Sequence, residues 1–124
     1  MALDENFNDK NYILGRIFSL LEHIQNRANP GLNSTIKDKY FNSACTNPNH
    51  IFPNLHKLSI HHLRKLETGQ KIYFEKQLGN LMEKISPNEK NSSILTQEEQ
   101  GIFILGYYHQ TQENFKSKEE KENG

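Results

Sequence analysis

Residues 12–24 read Tyr-Ile-Leu-Gly-Arg-Ile-Phe-Ser-Leu-Leu-Glu-His-Ile, and this stretch decides the fold class. Its apolar side chains recur at i, i+4, i+7 and i+11, which is the spacing of one face of an α-helix. The residues in this register are Ile13, Ile17, Leu20 and Ile24. The pattern predicts a long amphipathic helix from Asp9 to Arg27, ended by Asn29-Pro30-Gly31 because proline disfavours helical geometry in the residue before it.

Four more segments are predicted to be helical. The second runs from Ser34 to Ser43, capped by Asn33 or Ser34. The third begins at Pro48 or Pro53, and its predicted buried side consists of Leu55, Leu58, Leu63 and Leu66. A break at Thr68-Gly69 precedes the fourth helix, from Gln70 to Ile85. The fifth runs from Gln97 to Phe115 and opens with a capping box of Thr96 and Glu99.

No segment alternates with the period of two that a half-buried strand requires. We therefore predict an all-α fold, a single compact bundle of about five helices over residues 9–115. A frayed N-terminus, residues 1–8, precedes it, and a disordered charged tail, residues 116–124, follows it. Four glycines lie inside the helical patterns, where each costs about 1 kcal/mol relative to alanine. They are Gly15, Gly79, Gly101 and Gly106. Close helix–helix approach explains them, and the alternative is room for the backbone of a ligand.

The bulk properties indicate a small binding module of one domain. The chain has 124 residues and a mean hydropathy of −0.84, so we expect an isolated copy to be marginally stable. Its net charge is zero, but residues 31–66 hold five lysines and arginines against one aspartate. The single cysteine, Cys45, the lack of a long apolar run and the polar N-terminus together predict a cytoplasmic protein.

The histidines, the cysteine and the glutamates do not form a recognisable catalytic or metal-binding pattern. His56 and His61 are five residues apart and His61 and His62 are adjacent, whereas two ligands on one helix face need a spacing of three or four. Cys45 has no flanking residue that would activate its thiol. The glutamates occur in polar runs, where nothing raises the pKa of a carboxyl group. We therefore expect no enzyme activity, no metal and no cofactor.

The basic middle third of the chain predicts a phosphate-binding surface. On the third helix Lys57, His61, Arg64 and Lys65 recur along the side opposite most of the leucines, and Tyr40 or Tyr73 could stack on an unpaired base. The alternative is an ordinary solvated face. The proposed nucleic-acid-binding residues are Arg16, Lys37, Lys39, Tyr40, Lys57, His61, Arg64, Lys65 and Lys71. Arg16 has a second interpretation, as a brace for a contact within the chain or between subunits.

Five short stretches resemble the C-terminal region of the type I-C CRISPR Cascade large subunit. They are Tyr-Ile-Leu-Gly-Arg-Ile-Phe at 12–18, Ala-Asn-Pro-Gly-Leu-Asn at 28–33, Lys-Asp-Lys-Tyr-Phe-Asn-Ser-Ala at 37–44, Leu-Ser-Ile-His-His-Leu at 58–63 and Gly-Tyr-Tyr-His-Gln at 106–110. They occur in the family's order between Asn11 and Phe115. In that family the same region is also produced separately as the small subunit.

The resemblance implies a non-catalytic small subunit of the RNA-guided surveillance complex, present in more than one copy. It would pack against the backbone and large subunits and help to hold the heteroduplex of crRNA and target DNA and the displaced DNA strand. The resemblance implies that these strands are held without reading their base sequence. Recognition of the protospacer-adjacent motif is not carried over, because the resemblance does not include the N-terminal part of the large subunit. The alternative is a purely architectural helical module that binds proteins, with Tyr107 and Tyr108 as exposed anchors.

Overall fold

The computed structural model describes residues 3–4, 6–31, 34–85 and 94–123, with side chains up to Phe115. Within these ranges the chain forms five α-helices and no strand, so the predicted all-α class is confirmed. The helices are α1 (Lys10–Ala28), α2 (Ile36–Thr46), α3 (Pro48–Leu63), α4 (Thr68–Glu83) and α5 (Gln97–Asn123). Residues 86–93, whose polar sequence around Pro87 predicts a linker, lie outside the described part, as do the side chains of the predicted disordered tail, residues 116–124.

Side-chain caps fix the starts of the first and last helices close to their predicted positions. The Asp9 carboxylate accepts the Asn11 backbone N–H at 2.8 Å and so caps α1. At α5 the Thr96 backbone N–H donates to Glu99 Oε1 at 2.9 Å, and the Glu99 N–H donates to Thr96 Oγ1 at 3.2 Å. This reciprocal pair is the predicted capping box.

Two predicted helix starts are wrong. α2 begins after Thr35, because the Asp38 carboxylate accepts the Thr35 backbone N–H at 2.9 Å, and not after Asn33 or Ser34. α4 begins at Thr68 directly after the extended residue Glu67, so the predicted break at Thr68-Gly69 falls within its first turn. α3 begins at the first of its two candidate prolines, Pro48, and continues through Pro53.

The long first helix lies at the centre of the bundle. α1 contacts each of the other four helices and packs most extensively on α5. Two glycines permit this crossing. A Cβ atom at Gly15 would overlap the backbone carbonyl of Phe103, and one at Gly106 would overlap that of Tyr12. The predicted close approach therefore explains two of the four helical glycines, whereas Gly79 and Gly101 have open space around them.

The N-terminal residues contact this core ahead of α1. Within the predicted frayed segment, residues 1–8, the Phe7 ring stacks on Tyr12 with their centroids 4.8 Å apart. The Asp4 backbone N–H donates to the Tyr12 hydroxyl at 3.1 Å. The same hydroxyl lies 2.8 Å from His109 Nδ1, so Tyr12 connects the N-terminus to α5.

Candidate nucleic-acid interface

The cations predicted on the third helix lie together on one exposed side of α3 and of the turn after it. They form what we call the α3 cation stripe: Lys57, His61, Arg64 and Lys65. All are exposed, whereas Leu55 and Leu63 of the opposite side are buried in the core. A spacing of three or four residues keeps side chains on one side of a helix, which is why these groups lie together.

Leu58 departs from the buried side that its spacing predicts for it. It is 36% exposed. Because one residue step turns a helix by about 100°, Leu58 lies about 60° from both Leu55 and His61, at the border between the buried side and the stripe. The stripe therefore has an apolar side chain at its edge.

Two cations of the stripe have no carboxylate partner within the described ranges. Lys57 and Arg64 form no ion pair or side-chain hydrogen bond there. A cation that is not already paired keeps its full charge for an external anion, whereas a paired one would first have to lose its partner. Lys57 and Arg64 are the strongest candidates for phosphate contacts.

Lys65 is held by an amide that also contacts a buried histidine. Lys65 Nζ donates to Asn29 Oδ1 at 3.2 Å, and Asn29 Nδ2 lies 3.2 Å from His62 Nδ1. Because the amide oxygen faces the ammonium, its NH₂ group must face the imidazole, which therefore accepts on Nδ1. Burial, assisted by the nearby charges of His61 and Lys65, lowers the pKa of His62. Next to the stripe, His62 is therefore harder to protonate than a free histidine.

Lys37 of α2 lies against α5 and not in this stripe. The Lys37 ammonium is 5.2 Å from the ring centroid of Tyr107 and 5.5 Å from that of Tyr108, so it makes cation–π contacts with both. Lys39 is exposed. Tyr40 is half-buried against the core, which reduces the ring area available for base stacking.

Arg16 lies inside the bundle, far from the exposed position that a phosphate contact requires. It is 6% exposed, and its Nε donates to Gln110 Oε1 at 3.0 Å. This bond joins α1 to α5. Of the two interpretations of Arg16, the structure supports the second, because Arg16 braces a contact within the chain.

The structure reveals a groove that sequence reasoning missed. α3 and α4 flank an opening of about 440 Å³, which we call the α3–α4 groove. Its lining includes Leu63 and Leu78 at the base, Ile60 and Met82 on the walls, and Arg64 and Lys71 at the rim. An apolar pocket of about 220 Å³ adjoins it and shares Leu78 and Met82. The groove brings Lys71 into the same surface as Arg64, although α4 packs chiefly on α1.

A second feature missed by sequence reasoning is an exposed apolar row on α5. The α5 ridge consists of exposed residues spaced by four, three, four and three: Gly101, Leu105, Tyr108, Gln112 and Phe115. This is the spacing of a helix face that packs on another helix. The opposite face of α5 packs on α1. Tyr107 belongs to that face and is 3% exposed, so its prediction as an exposed anchor is wrong, whereas Tyr108 is 49% exposed.

Two residues with raised pKa values, Tyr107 and Cys45, lie in the core and not in the groove. Burial, followed by the hydrogen bond to Glu22, raises the pKa of Tyr107, and burial raises the pKa of the Cys45 thiol. In the described ranges no three His, Cys, Asp or Glu side chains are grouped as a metal site would need. Nor is any helix there long and apolar enough to cross a lipid bilayer.

The described part of the chain is thus an all-helical bundle with exposed cations on one helix, an open groove and an apolar ridge. Residues 1–115 match the family described as CRISPR-associated protein (Cas_Csd1), and the chain belongs to that family. It is therefore a CRISPR-associated protein. A comparison with curated proteins gives no match.

Proposed function

We propose that this chain is the non-catalytic small subunit of a type I-C CRISPR RNA-guided surveillance complex. In this role it bridges the backbone and large subunits and contacts the target heteroduplex and the displaced DNA strand without reading their sequence. The observation that carries the proposal is the α3 cation stripe, in which Lys57 and Arg64 are exposed and form no ion pair within the described ranges. Membership of a CRISPR-associated family supports the assembly context.

The chemistry of the stripe favours contact with phosphates rather than with bases. Lysine and arginine neutralise phosphate charge and release condensed counterions, whatever the base sequence. The stripe lies along one side of a helix, and its residues belong to no base-reading motif. Sequence selection in such a complex belongs to pairing with the guide RNA, and this subunit adds retention of the strands.

A binding titration of the purified chain with single-stranded and duplex DNA tests the phosphate contacts. Each contact contributes about −0.7 to −0.9 to the slope of log K against log salt, so three to five contacts predict a slope between about −2 and −4.5. Lys57→Glu with Arg64→Glu should make the slope shallower by about 1.4 to 1.8. Lys76→Glu is the matched control, because Lys76 is exposed on α4 outside the proposed interface. An unchanged slope in the double variant contradicts the proposal.

The architectural alternative has its own supporting observation, the exposed α5 ridge. Reconstitution of the complex without this chain separates the two roles. An intact assembly that releases DNA early supports strand holding. Loss of the assembly itself supports the architectural role, with the apolar ridge rather than the cation stripe as the functional surface.

A further inference from the structure

The α3–α4 groove and the apolar pocket that adjoins it form one channel. The pocket, which we call the inner pocket, shares three lining residues with the groove: His56, Leu78 and Met82. α3 and α4 each pack on α1 but make little contact with each other, so the space between them stays open. α1 closes the floor of the inner pocket with three aliphatic side chains, those of Leu14, Ile17 and Leu21.

The channel changes from apolar to cationic along its length. Its inner end is lined by Phe52 and Ile85 and has almost no polar surface. Its outer end lies beside the turn that joins the two helices, where the rim carries Arg64 and Lys71 against one carboxylate, that of Glu75. Neither Arg64 nor Lys71 forms an ion pair or a side-chain hydrogen bond within the described residues. The channel is therefore an apolar cavity with two available cations at one end.

The dimensions of the channel suit a single hydrocarbon chain. The wall that α4 contributes runs from Lys71 to Ile85, a distance of about 21 Å at a rise of 1.5 Å per residue. One acyl chain of a lipid spans about 15 Å, half of the ~30 Å hydrocarbon core of a bilayer. The inner pocket has a volume of about 220 Å³. A peptide helix, about 10 Å across, is too wide to enter it.

The walls of the channel expose apolar surface that a bound chain would cover. Ile60 is 42% exposed and Met82 is 48% exposed. Gly79 lines the groove between them, and a side chain added there would meet no atom within 4 Å. The packing of the fold gives no reason for a glycine at this position inside α4. Any larger residue would narrow the groove, so Gly79 keeps the channel open.

We propose that this channel binds one long-chain fatty acid, with the acyl chain in the inner pocket and the carboxylate at Arg64 and Lys71. The hydrophobic effect favours transfer of each methylene group from water to the apolar walls. The carboxylate stays at the exposed rim, where two cations compensate its charge and no charge has to be buried. Sites for small molecules usually have this form, a mostly apolar cavity with a few polar groups that fix the orientation. The inference goes beyond the proposed function, because binding of this ligand requires neither nucleic acid nor another subunit.

Isothermal titration calorimetry of the full chain with palmitate, below the concentration at which palmitate aggregates, tests the site. Palmitate should bind with one molecule per chain. Octanoate should bind at least tenfold more weakly, because it buries fewer methylene groups. Hexadecyltrimethylammonium has the same chain length with a cationic head, and it should also bind at least tenfold more weakly beside the basic rim. Equal affinities for the three compounds, or no binding of palmitate, would contradict the proposal.

Two variants test whether the ligand lies in the channel. Gly79→Trp places a ring in the groove and should weaken palmitate binding at least tenfold. Lys71→Glu inverts one charge of the rim and should weaken palmitate binding at least threefold, but it should leave the binding of uncharged hexadecan-1-ol unchanged. Both positions are open or exposed, so the helical circular dichroism should be retained. Lys76→Glu, an equal change of charge on α4 outside the channel, should bind palmitate like the wild type. Palmitate affinity that survives both channel variants would overturn the proposal.

Met82 provides a direct signal of occupancy, because it lines both the groove and the inner pocket and is one of two methionines in the chain. In protein labelled with ¹³C at the methionine methyl groups, the Met82 signal is assigned by its absence from Met82→Leu. This signal should shift as palmitate is added and should stop shifting at one equivalent. A Met82 signal that does not move at saturating palmitate would show that the ligand binds elsewhere, and the proposal would be wrong.

Discussion

Gly106 of α5 lies directly against the backbone carbonyl of Tyr12 in α1, with no space for a side chain between them. Gly106→Ala should therefore force the two helices apart and lower the free energy of unfolding by about 1–3 kcal/mol, the usual cost of overpacking. Urea unfolding followed by circular dichroism measures this change. The opposing atoms belong to the backbone, so no side-chain rotation can relieve the overlap.

Gly79→Ala is the matched control for that prediction. Gly79 also lies inside a helix, but an added methyl group would meet nothing within 4 Å. The variant should be more stable than the wild type by about 0.5–1 kcal/mol, because alanine loses less backbone entropy on folding. If both alanine variants change stability equally, the close helix crossing is not the reason for Gly106.

The two adjacent tyrosines of α5 should respond differently to loss of their hydroxyl groups. Tyr107 donates its hydroxyl hydrogen to the Glu22 carboxylate in a part-buried setting. Tyr107→Phe should lower the free energy of unfolding by about 1.5–3 kcal/mol, as expected for a hydrogen bond to a charged group. Tyr108→Phe removes an exposed hydroxyl and should change stability by less than about 0.5 kcal/mol. Equal effects would show that the Glu22 contact contributes nothing.

His62 should make the fold sensitive to mild acid. Burial lowers its folded-state pKa below the unfolded value of ~6.5, so at lower pH the unfolded chain binds the extra proton more readily. The fold is therefore destabilised as the pH falls from the unfolded-state pKa of His62 towards its lower folded-state pKa. Unfolding free energies at about pH 7.5 and about pH 5.5 should therefore differ more for the wild type than for His62→Gln, which cannot titrate. An equal loss of unfolding free energy in both proteins would show that His62 is not the source of the acid sensitivity.

The elements that could be predicted from the sequence are those whose signals are local. The period of Ile13, Ile17 and Leu20 marks α1, and the reciprocal pair of Thr96 and Glu99 marks the start of α5. The α4 start was missed because Gly69 resembles a helix breaker, although a glycine in the first turn has little effect on a helix capped after Glu67.

The tertiary arrangement decides the remaining positions, and local patterns do not carry that information. Arg16 is a cation on an amphipathic helix, but α1 is surrounded by other helices and has no solvent side at that position. Tyr107 and Tyr108 are adjacent and have nearly the same flanking sequence. Only the side on which α1 packs decides that Tyr107 is buried and Tyr108 exposed. The α3–α4 groove forms between two consecutive helices, and the pattern of either helix alone does not predict how they are placed against each other.

The lifetime of the R-loop in a reconstituted complex measures how much the α3 cation stripe contributes to holding the DNA strands. A type I-C complex containing Lys57→Glu with Arg64→Glu, and one containing the control Lys76→Glu, are loaded on target DNA and challenged with competitor, and release of the displaced strand is followed over time. We expect release of the strand to be at least tenfold faster in the double variant, with the difference increasing with salt, and to be unchanged in the control. Equal R-loop lifetimes in the fully assembled wild-type, double-variant and control complexes would contradict the strand-holding role of the stripe.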